Sequence, residues 1–148
     1  MSDPTLRPAV IGDAGDIHAL LLALAVELSL AVESLEQEEA LYAVVRKTLG
    51  WGESWVAEEA GRVVGCVLVD NIQTGRHWGE NETLDLRYAG GENLDALIGK
   101  VAERTTPIAA TVKEANRTGL ASRLQRLGFR ETETRMGERR FRREPGGS

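Results

Sequence analysis

The sequence predicts a single α/β (α+β) domain, in which a mixed, twisted sheet of about six or seven strands is flanked by about four helices. Hydrophobic residues make up 42% and charged residues 28% of the 148 positions, so the chain can bury a core of its own. Apolar residues change several times between helical spacing and strand alternation. No repeat or long linker divides the chain, so residues 1–143 are expected to form one domain and 144–148 a mobile tail.

Charge and cysteine content exclude several classes of protein. The 23 acidic and 18 basic residues leave a net charge of −5, and Cys66 is the lone cysteine. It excludes an intrachain disulfide framework and a multi-cysteine zinc site, so we expect no metal and a reducing, cytoplasmic compartment. The longest apolar run, 19–26, is far shorter than the ~20 residues of a membrane span, and the acidic N-terminus is unlike a secretory signal. No membrane partner is therefore expected.

The C-terminal quarter is rich in arginine and allows two interpretations. Eight arginines fall between 123 and 143. Either they face outward on strands and pair with nearby glutamates, or they form an anion-binding patch. The acidic overall charge favours the first interpretation, and no zinc-finger spacing or aromatic-basic motif indicates a nucleic-acid partner.

The first half of the chain reads as strand, two helices and a hairpin. Residues 5–11 form a strand that Pro8 confines to an edge or a strand end. A helix begins near Asp13, with apolar positions at helical spacing through 28, and a second helix spans about 34–49 before Gly50. Residues 55–59 and 62–69 then alternate as two strands around Gly61, with Gly65 as a bulge or close backbone contact.

The second half contains two more strands, two more helices and a last hairpin. Residues 70–82 form a polar loop that carries His77 and Trp78. A strand at 83–88 is expected to break at 89–91, and a helix at 93–104 leads to a strand at 108–112. Asn116 is expected to open a helix that closes at Gly128, and the final hairpin turns at Gly137. The strands at 83–88 and 108–112, joined through one helix, should be parallel neighbours that separate at their C-terminal ends.

Three segments of this element order carry a family resemblance. They are Leu6-Arg7-Pro8 through Asp16-Ile17, Val56-Ala57-Glu58-Glu59 to Gly65, and the helix from Asn116 that ends on Gly128-Phe129. In this order the chain resembles the GNAT superfamily of acyl-CoA-dependent N-acetyltransferases, and is similar to shortened, phage-encoded members. The resemblance implies an acetyltransferase that uses acetyl-CoA and acts on a small-molecule or protein amine.

The resemblance also implies a coenzyme A site at the start of the third long helix. The family holds the pyrophosphate on backbone N–H groups of an Arg/Gln-x-x-Gly-x-Gly/Ala loop at a helix N-terminus. The corresponding residues here are Gly90, Gly91, Glu92, Asn93 and Leu94, with Arg87 in place for half of the motif and the full spacing lost.

A pantetheine contact and acidic side chains complete the implied cofactor site. Asn116 matches a pantetheine-contacting asparagine to within one residue, and a helix N-cap is its alternative role. Glu92 and Asp95 bring negative charge beside the anion site, or serve as ordinary first-turn helix residues.

The implied catalytic groups are less complete. Many family members carry a tyrosine four residues before the Gly of Gly-Phe as the acid for the leaving thiolate, and Leu124 stands there. Tyr88 is then the candidate acid, with packing as its alternative role. Glu82 and Asp85 are the candidate bases, with Glu80 as a weaker third, and Asp85 has an ion pair with Arg87 as its alternative role.

These departures leave a second hypothesis open, that of a non-catalytic GNAT-like binding or structural module. An unrelated α+β domain with the same element order is a third. Three tryptophans against two Phe and two Tyr suggest that aromatic residues line a groove or a homodimer contact.

Overall fold

A computed structural model describes residues 4–73 and 82–145, and shows one seven-stranded sheet with helices on both faces. The strands are β1 (Thr5–Pro8), β2 (Trp55–Glu59), β3 (Arg62–Gln73), β4 (Glu82–Gly91), β5 (Ile108–Lys113), β6 (Arg130–Arg135) and β7 (Glu138–Arg143). The helices are α1 (Ala14–Ala23), α2 (Ala25–Leu28), α3 (Leu35–Leu49), α4 (Leu94–Ala102) and α5 (Leu120–Arg126). The predicted fold class is confirmed.

The strand order creates a gap in the middle of the sheet. The order is β1-β2-β3-β4-β5-β7-β6, and every neighbouring pair is antiparallel except β4 and β5. Those two strands are parallel and pair only where Leu84–Leu86 lies beside Ile108–Ala110. Beyond this point β4 pairs with β3 alone and β5 with β7 alone, so the two strands separate at their C-terminal ends, as the sequence predicted.

Each face of the sheet has its own hydrophobic core, because side chains alternate along the strands. On one face α1 and α3 pack against Val56, Cys66 and Leu68. On the other, α4 and α5 pack against a larger set of sheet residues that includes Leu84 and Phe141. Cys66 is fully buried, as expected of a small core residue, and its burial raises the pKa of the thiol to about 12.

The first predicted helix is in fact three short pieces. A 3-10 turn at Ile11–Asp13 precedes α1, and the chain leaves helical geometry at Leu24 before α2. α2 ends at Ser29, whose φ of 59° places it in the left-handed region. By contrast α3 matches its prediction, with the Ser34 hydroxyl accepting the Gln37 N–H at 3.1 Å.

The prediction that the fourth strand breaks at 89–91 is wrong. Gly90 and Gly91 stay in β4 and pair with Cys66 and Gly65 of β3. A Cβ on Gly65 would lie 2.0 Å from the Glu92 carbonyl oxygen, so two backbones approach here as only glycine allows. The close backbone contact predicted at Gly65 is therefore confirmed, and it is what prolongs the strand.

The prediction that Asn116 opens the last helix is also wrong. α5 begins at Leu120 with Gly119 as its N-cap residue, four residues after the predicted start at Asn116. Asn116 instead stabilises the preceding turn, where its Oδ1 accepts the N–H of Thr118 at 2.8 Å and the Thr118 hydroxyl at 2.6 Å. An asparagine that bonds two residues ahead in this way forms a turn rather than a helix cap.

The last hairpin turns at Met136 and Gly137, as predicted, and its arginines pair with glutamates. Arg139 bonds Glu131 at 2.9 Å, and Arg140 lies 3.2 Å from Glu133. The first interpretation of the arginine-rich segment accounts for these residues. None of the helices in the described part of the chain is long and apolar enough to cross a bilayer.

Candidate active site

The gap between β4 and β5 opens into a cavity of about 540 Å³ on the face covered by α2 and α3. We call it the cleft. Its walls come from β4, the ends of β5 and β7, the segment 28–32, α3 and the turn before α5. A cavity of this size at the divergence of two parallel strands is a typical ligand site of mixed sheets.

A β-bulge in β4 determines which side chains reach the cleft. Val69 pairs with Leu86 and Leu68 pairs with Tyr88, so Arg87 has no opposite residue on β3. The extra residue changes the alternation: Leu86 before the bulge and Ala89 after it belong to the same core. Arg87 and Tyr88 can therefore both line the cleft although they are adjacent in sequence.

Asp85 lies in the cleft in an environment that opposes its ionisation. Burial raises the pKa of its carboxyl, and Asp70 on the neighbouring strand raises it further, while Arg87 lowers it in part. Asp70 stands directly opposite Asp85 in the ladder, and the Arg87 guanidinium approaches Asp70 to 3.9 Å. The ion pair suggested for Asp85 and Arg87 is thus replaced by a pair between Arg87 and Asp70. A carboxylate with a raised pKa is a stronger base than an ordinary one and is better suited to accept a proton.

Glu82, the other candidate base, is not brought to the cleft. Its Oε1 accepts the Asn71 amide at 2.6 Å and the Arg104 guanidinium at 3.0 Å. Arg104 follows α4, on the opposite face of the sheet from α3, and it also binds Glu53. Glu82 is therefore a member of a structural ion-pair cluster. The third candidate, Glu80, lies outside the described residues, as do His77 and Trp78.

Tyr88 and Asn116 both line the cleft although 28 positions separate them in the chain. Tyr88 is partly buried against the α1–α3 core, on β4, and Asn116 is held by its turn beyond β5. Leu124, the residue at the family's acid position, is fully buried in the other core. Its place in α5 is a packing position, so it takes no part in proton transfer.

The segment from Glu27 to Val32 crosses the open end of the cleft, and we call it the strap. The Glu27 carbonyl accepts the Arg117 N–H at 2.7 Å, and the Ser29 carbonyl accepts the Lys113 ammonium at 2.8 Å. These bonds join α2 to the far side of the gap, where β4 and β5 no longer pair. The strap thus forms one wall of the cleft, with Leu30, Ala31 and Val32 facing it.

Sequence reasoning did not identify the α3 wall of the cleft. Gln37, Ala40, Leu41 and Val44 line it. Their i, i+3, i+4, i+7 spacing is a helix face, and the small side chain of Ala40 on that face was the signal available in the sequence. Glu138 and Lys113, which oppose each other at the end of β5 and β7, were also missed, because only the sheet register brings them to the cleft.

The resemblance implies a phosphate site at the backbone between β4 and α4. Part of this backbone already forms hydrogen bonds with β3. The Glu92 N–H donates to the Val64 carbonyl at 2.8 Å, and Gly90 and Gly91 belong to the ladder with β3. Asn93 adopts a left-handed conformation and makes no side-chain cap, so the first N–H groups of α4, beginning at Leu94, have no capping side chain from this residue. The charge of Asp95 is compensated by Arg123 at 2.7 Å.

Several solved structures are similar to this one over nearly its whole length. Polyamine N-acetyltransferase from Drosophila melanogaster has a TM-score of 0.72 at 16% identity, covering 96% of this chain and 100% of that one. The PaiA N-acetyltransferase of Thermoplasma acidophilum, solved with coenzyme A, has a TM-score of 0.70 at 12% identity, covering 97% and 99%. A GNAT-family acetyltransferase from Streptococcus agalactiae has a TM-score of 0.70 at 16% identity, covering 95% of each chain. This chain has the GNAT fold.

No protein-family model and no curated protein matches the sequence. A likeness at 12–16% identity establishes the GNAT fold, and a fold can host unrelated functions. The function of this GNAT-fold chain therefore has to be argued from the residues of its cleft.

Proposed function

We propose that this protein is an acetyl-CoA-dependent N-acetyltransferase that acts on a primary amine. The observation that carries the proposal is Asp85: a desolvated carboxylate with a raised pKa, lining a cleft that opens where two parallel strands separate. An amine must lose a proton before its nitrogen can attack a thioester, and such a carboxylate is the group that removes it.

The gap between β4 and β5 suits the extended arm of the acyl donor. Beyond Leu86 the edge of β4 that faces β5 has no strand partner, so its backbone groups can pair with an extended amide chain, as sheet edges do with peptides. Asn116 stands on the other side of the gap and uses its Oδ1 in the turn, which leaves its amide nitrogen to donate to the donor.

The diphosphate of the donor is expected at the N-terminus of α4. The uncapped N–H groups from Leu94 onward carry partial positive charge, and Arg123 offsets the nearby Asp95. Glu92 contributes its backbone to the strand contact with Val64 instead, so the site uses fewer amides than the family's longer loop.

The reaction then proceeds with few groups. Asp85 accepts one proton from the substrate ammonium and releases it to water, which frees the nitrogen lone pair. The nitrogen attacks the thioester carbon, so that the C–N bond forms and the C–S bond breaks. The second proton leaves the nitrogen through the Tyr88 hydroxyl, which gives its own proton to the departing thiolate and is restored from the nitrogen.

The competing function is a non-catalytic module that keeps only the fold. Leu124 at the usual acid position and the committed Glu92 amide favour it. Calorimetric titration with acetyl-CoA separates the two functions, because the module has no reason to bind the donor.

Kinetics of single variants test the residue roles. Asp85→Asn is expected to lower kcat/KM by about 10²–10⁴-fold, and Tyr88→Phe by at least about tenfold, because each removes a proton-transfer group. Glu82→Gln is expected to keep kcat/KM within about threefold, a change too small for the loss of a proton-transfer group. A loss of activity in Glu82→Gln together with full activity in Asp85→Asn would place the base on the α4 face of the sheet and would contradict our proposal.

A further inference from the structure

We infer that the acceptor is a primary monoamine on an aliphatic carrier, which places its ammonium group at Asp85 and its hydrocarbon against the strap and α3. The inference rests on the proposed function and deepens it by naming the substrate class. It comes from the balance of charge along the cleft and from the composition of the wall that faces Asp85.

The charged groups around Asp85 leave room for one positive charge. Asp70 and Asp85 oppose each other across β3 and β4, and Arg87 acts on both, at 3.9 Å from Asp70 and by lowering the pKa of Asp85. Lys47 of α3 shares a neighbouring pocket with Asp70 and Arg87 and does not line the cleft. Two carboxylates and one guanidinium carry a net charge of −1. A single ammonium ion therefore neutralises the group, and its proton is then beside the carboxylate that accepts it.

The wall that faces this group is aliphatic. Leu30, Ala31 and Val32 of the strap and Ala40, Leu41 and Val44 of α3 line it. Gln37 is the polar side chain that α3 adds. Burying methylene groups against such a wall favours binding, and the wall has no carboxylate to receive a second ammonium.

A polycation would find no net negative charge for its second ammonium at the far end of the cleft. Lys113 and Glu138 stand opposite each other there, and the Lys113 ammonium is held at the rim by its bond to the Ser29 carbonyl. This pair is neutral, so it offers a second amine no net attraction. This charge distribution predicts a substrate preference different from that of a polyamine N-acetyltransferase, whose fold the chain shares.

A free amino acid would add a carboxylate beside Asp85. Arg87 already offsets two acidic side chains, so the additional negative charge would be uncompensated in a partly buried place. We therefore expect the cleft to discriminate against amines that carry an α-carboxylate.

Three acceptors of similar size test the inference with the intact protein and acetyl-CoA. They are 3-methylbutylamine, leucine, which adds only a carboxylate to it, and putrescine, which adds a second ammonium to butylamine. We expect kcat/KM for 3-methylbutylamine to exceed that for each of the other two by at least about tenfold. In the series propylamine, butylamine, pentylamine, kcat/KM should rise by about fourfold per methylene.

A matched pair of variants tests the wall directly. Ala40→Asp places a carboxylate on the face of α3 that lines the cleft, and Ala43→Asp makes the same change on an exposed face of the same helix. Ala40→Asp is expected to move the ratio of putrescine to butylamine kcat/KM towards putrescine by at least about tenfold. Ala43→Asp should leave that ratio unchanged, and thermal unfolding of both variants verifies that each is folded.

The outcomes separate the inference from the proposed function. Acetylation that favours putrescine or leucine over 3-methylbutylamine overturns the inference and leaves the acetyltransferase proposal standing. A protein that transfers no acetyl group to any of these amines or to polyamines and amino acids overturns both. An unchanged putrescine preference in folded Ala40→Asp also contradicts the inference, because the wall would then not contact the acceptor.

Discussion

At the scale of single residues, Asp85 combines a cost to the stability of the fold with the role of base that we propose for it. Its carboxyl is desolvated and faces Asp70, so the folded state disfavours the charged form and raises the pKa. A residue chosen for stability alone would be neutral at this place. Active sites often retain such groups, because the shift that destabilises the fold is the one that makes the group a useful base.

Because the charged Asp85 carboxylate destabilises the folded state, we predict that Asp85→Asn stabilises the protein while removing its activity. The folded-state pKa is raised, so the folded state binds more protons than the unfolded state between the two pKa values, and stability falls as pH rises through that window. The variant should have a higher Tm than the wild type at pH 7, and the difference should vanish at a pH below the unfolded value. Asp16→Asn, on the exposed side of α1, is the control. A lower Tm for Asp85→Asn at pH 7 would contradict the assignment.

The same shift predicts the pH dependence of the rate. Asp85 must be ionised to accept a proton, so kcat/KM is lost as pH falls through its raised pKa. Asp70→Asn removes a charge that raises this pKa and frees Arg87 to lower it, so the acid limb of the profile should move to lower pH. The measurement is kcat/KM from pH 4 to pH 9, with Asp16→Asn again as control. If the acid limb does not move, the ionisation that limits kcat/KM at low pH is not that of Asp85.

At the scale of elements, the length of β4 determines where the phosphate site that we propose can lie. The backbone contact between Gly65 and Glu92 keeps Gly90 and Gly91 in the ladder and moves the turn to Glu92 and Asn93. α4 therefore begins directly after a strand, with little loop between them. The first N–H groups of α4 therefore follow the end of β4 after two residues, and this is where we place the diphosphate of the donor.

A pair of glycine variants tests that contact. A Cβ on Gly65 would lie 2.0 Å from the Glu92 oxygen, so Gly65→Ala must separate β3 from the end of β4 and should destabilise the fold by about 1–3 kcal/mol. Gly99 lies inside α4 with open space around its Cα, so Gly99→Ala should stabilise the fold by roughly 0.5–1 kcal/mol. Denaturant unfolding measures both. A neutral Gly65→Ala would mean that the two backbones do not approach as described.

At the scale of the whole molecule, the sheet has a weak seam. β4 and β5 share three ladder positions, and the strap adds the bonds to Arg117 and Lys113 across the opening. The β5–β7 part is thus joined to the rest of the sheet mainly at one end. A ligand that fills the gap between the strands would strengthen the joint it occupies.

The short pairing between β4 and β5 predicts how the donor changes the stability and the hydrogen exchange of the protein. Acetyl-CoA at about 100 times its Kd should stabilise the folded state by ~2.7 kcal/mol. Hydrogen exchange should slow most in residues 87–91 of β4, in 111–113 of β5 and in the first turn of α4. Adenosine, which lacks the phosphates and the pantetheine arm of the donor, should produce no such pattern. Protection confined to α1 or to the last hairpin would place the donor elsewhere.

Local sequence signals were sufficient for most elements. The helix predicted at about 34–49 is α3 at Leu35–Leu49, and the turns at Gly61 and Gly137 close their hairpins as predicted, because these features depend on neighbouring residues. The start of α5 was not readable in this way. Asn116 has the chemistry of both a helix cap and a turn residue, and only the surrounding backbone selects between them.

The sequence by itself determined the fold class, the parallel pair of strands that separates, and the presence of Asp85, Tyr88 and Asn116 as candidates. Only the tertiary structure decided which of them share a cleft: it placed Glu82 with Arg104 on the other face and brought the strap, α3 and Glu138 to the cleft that Asp85 lines. Helix and strand periods are local properties of a chain, whereas the register of β3 against β4 and the bulge at Arg87 depend on contacts between distant residues. One residue of bulge turns a side chain to the opposite face of a sheet, so the site could be identified only after the strands were paired.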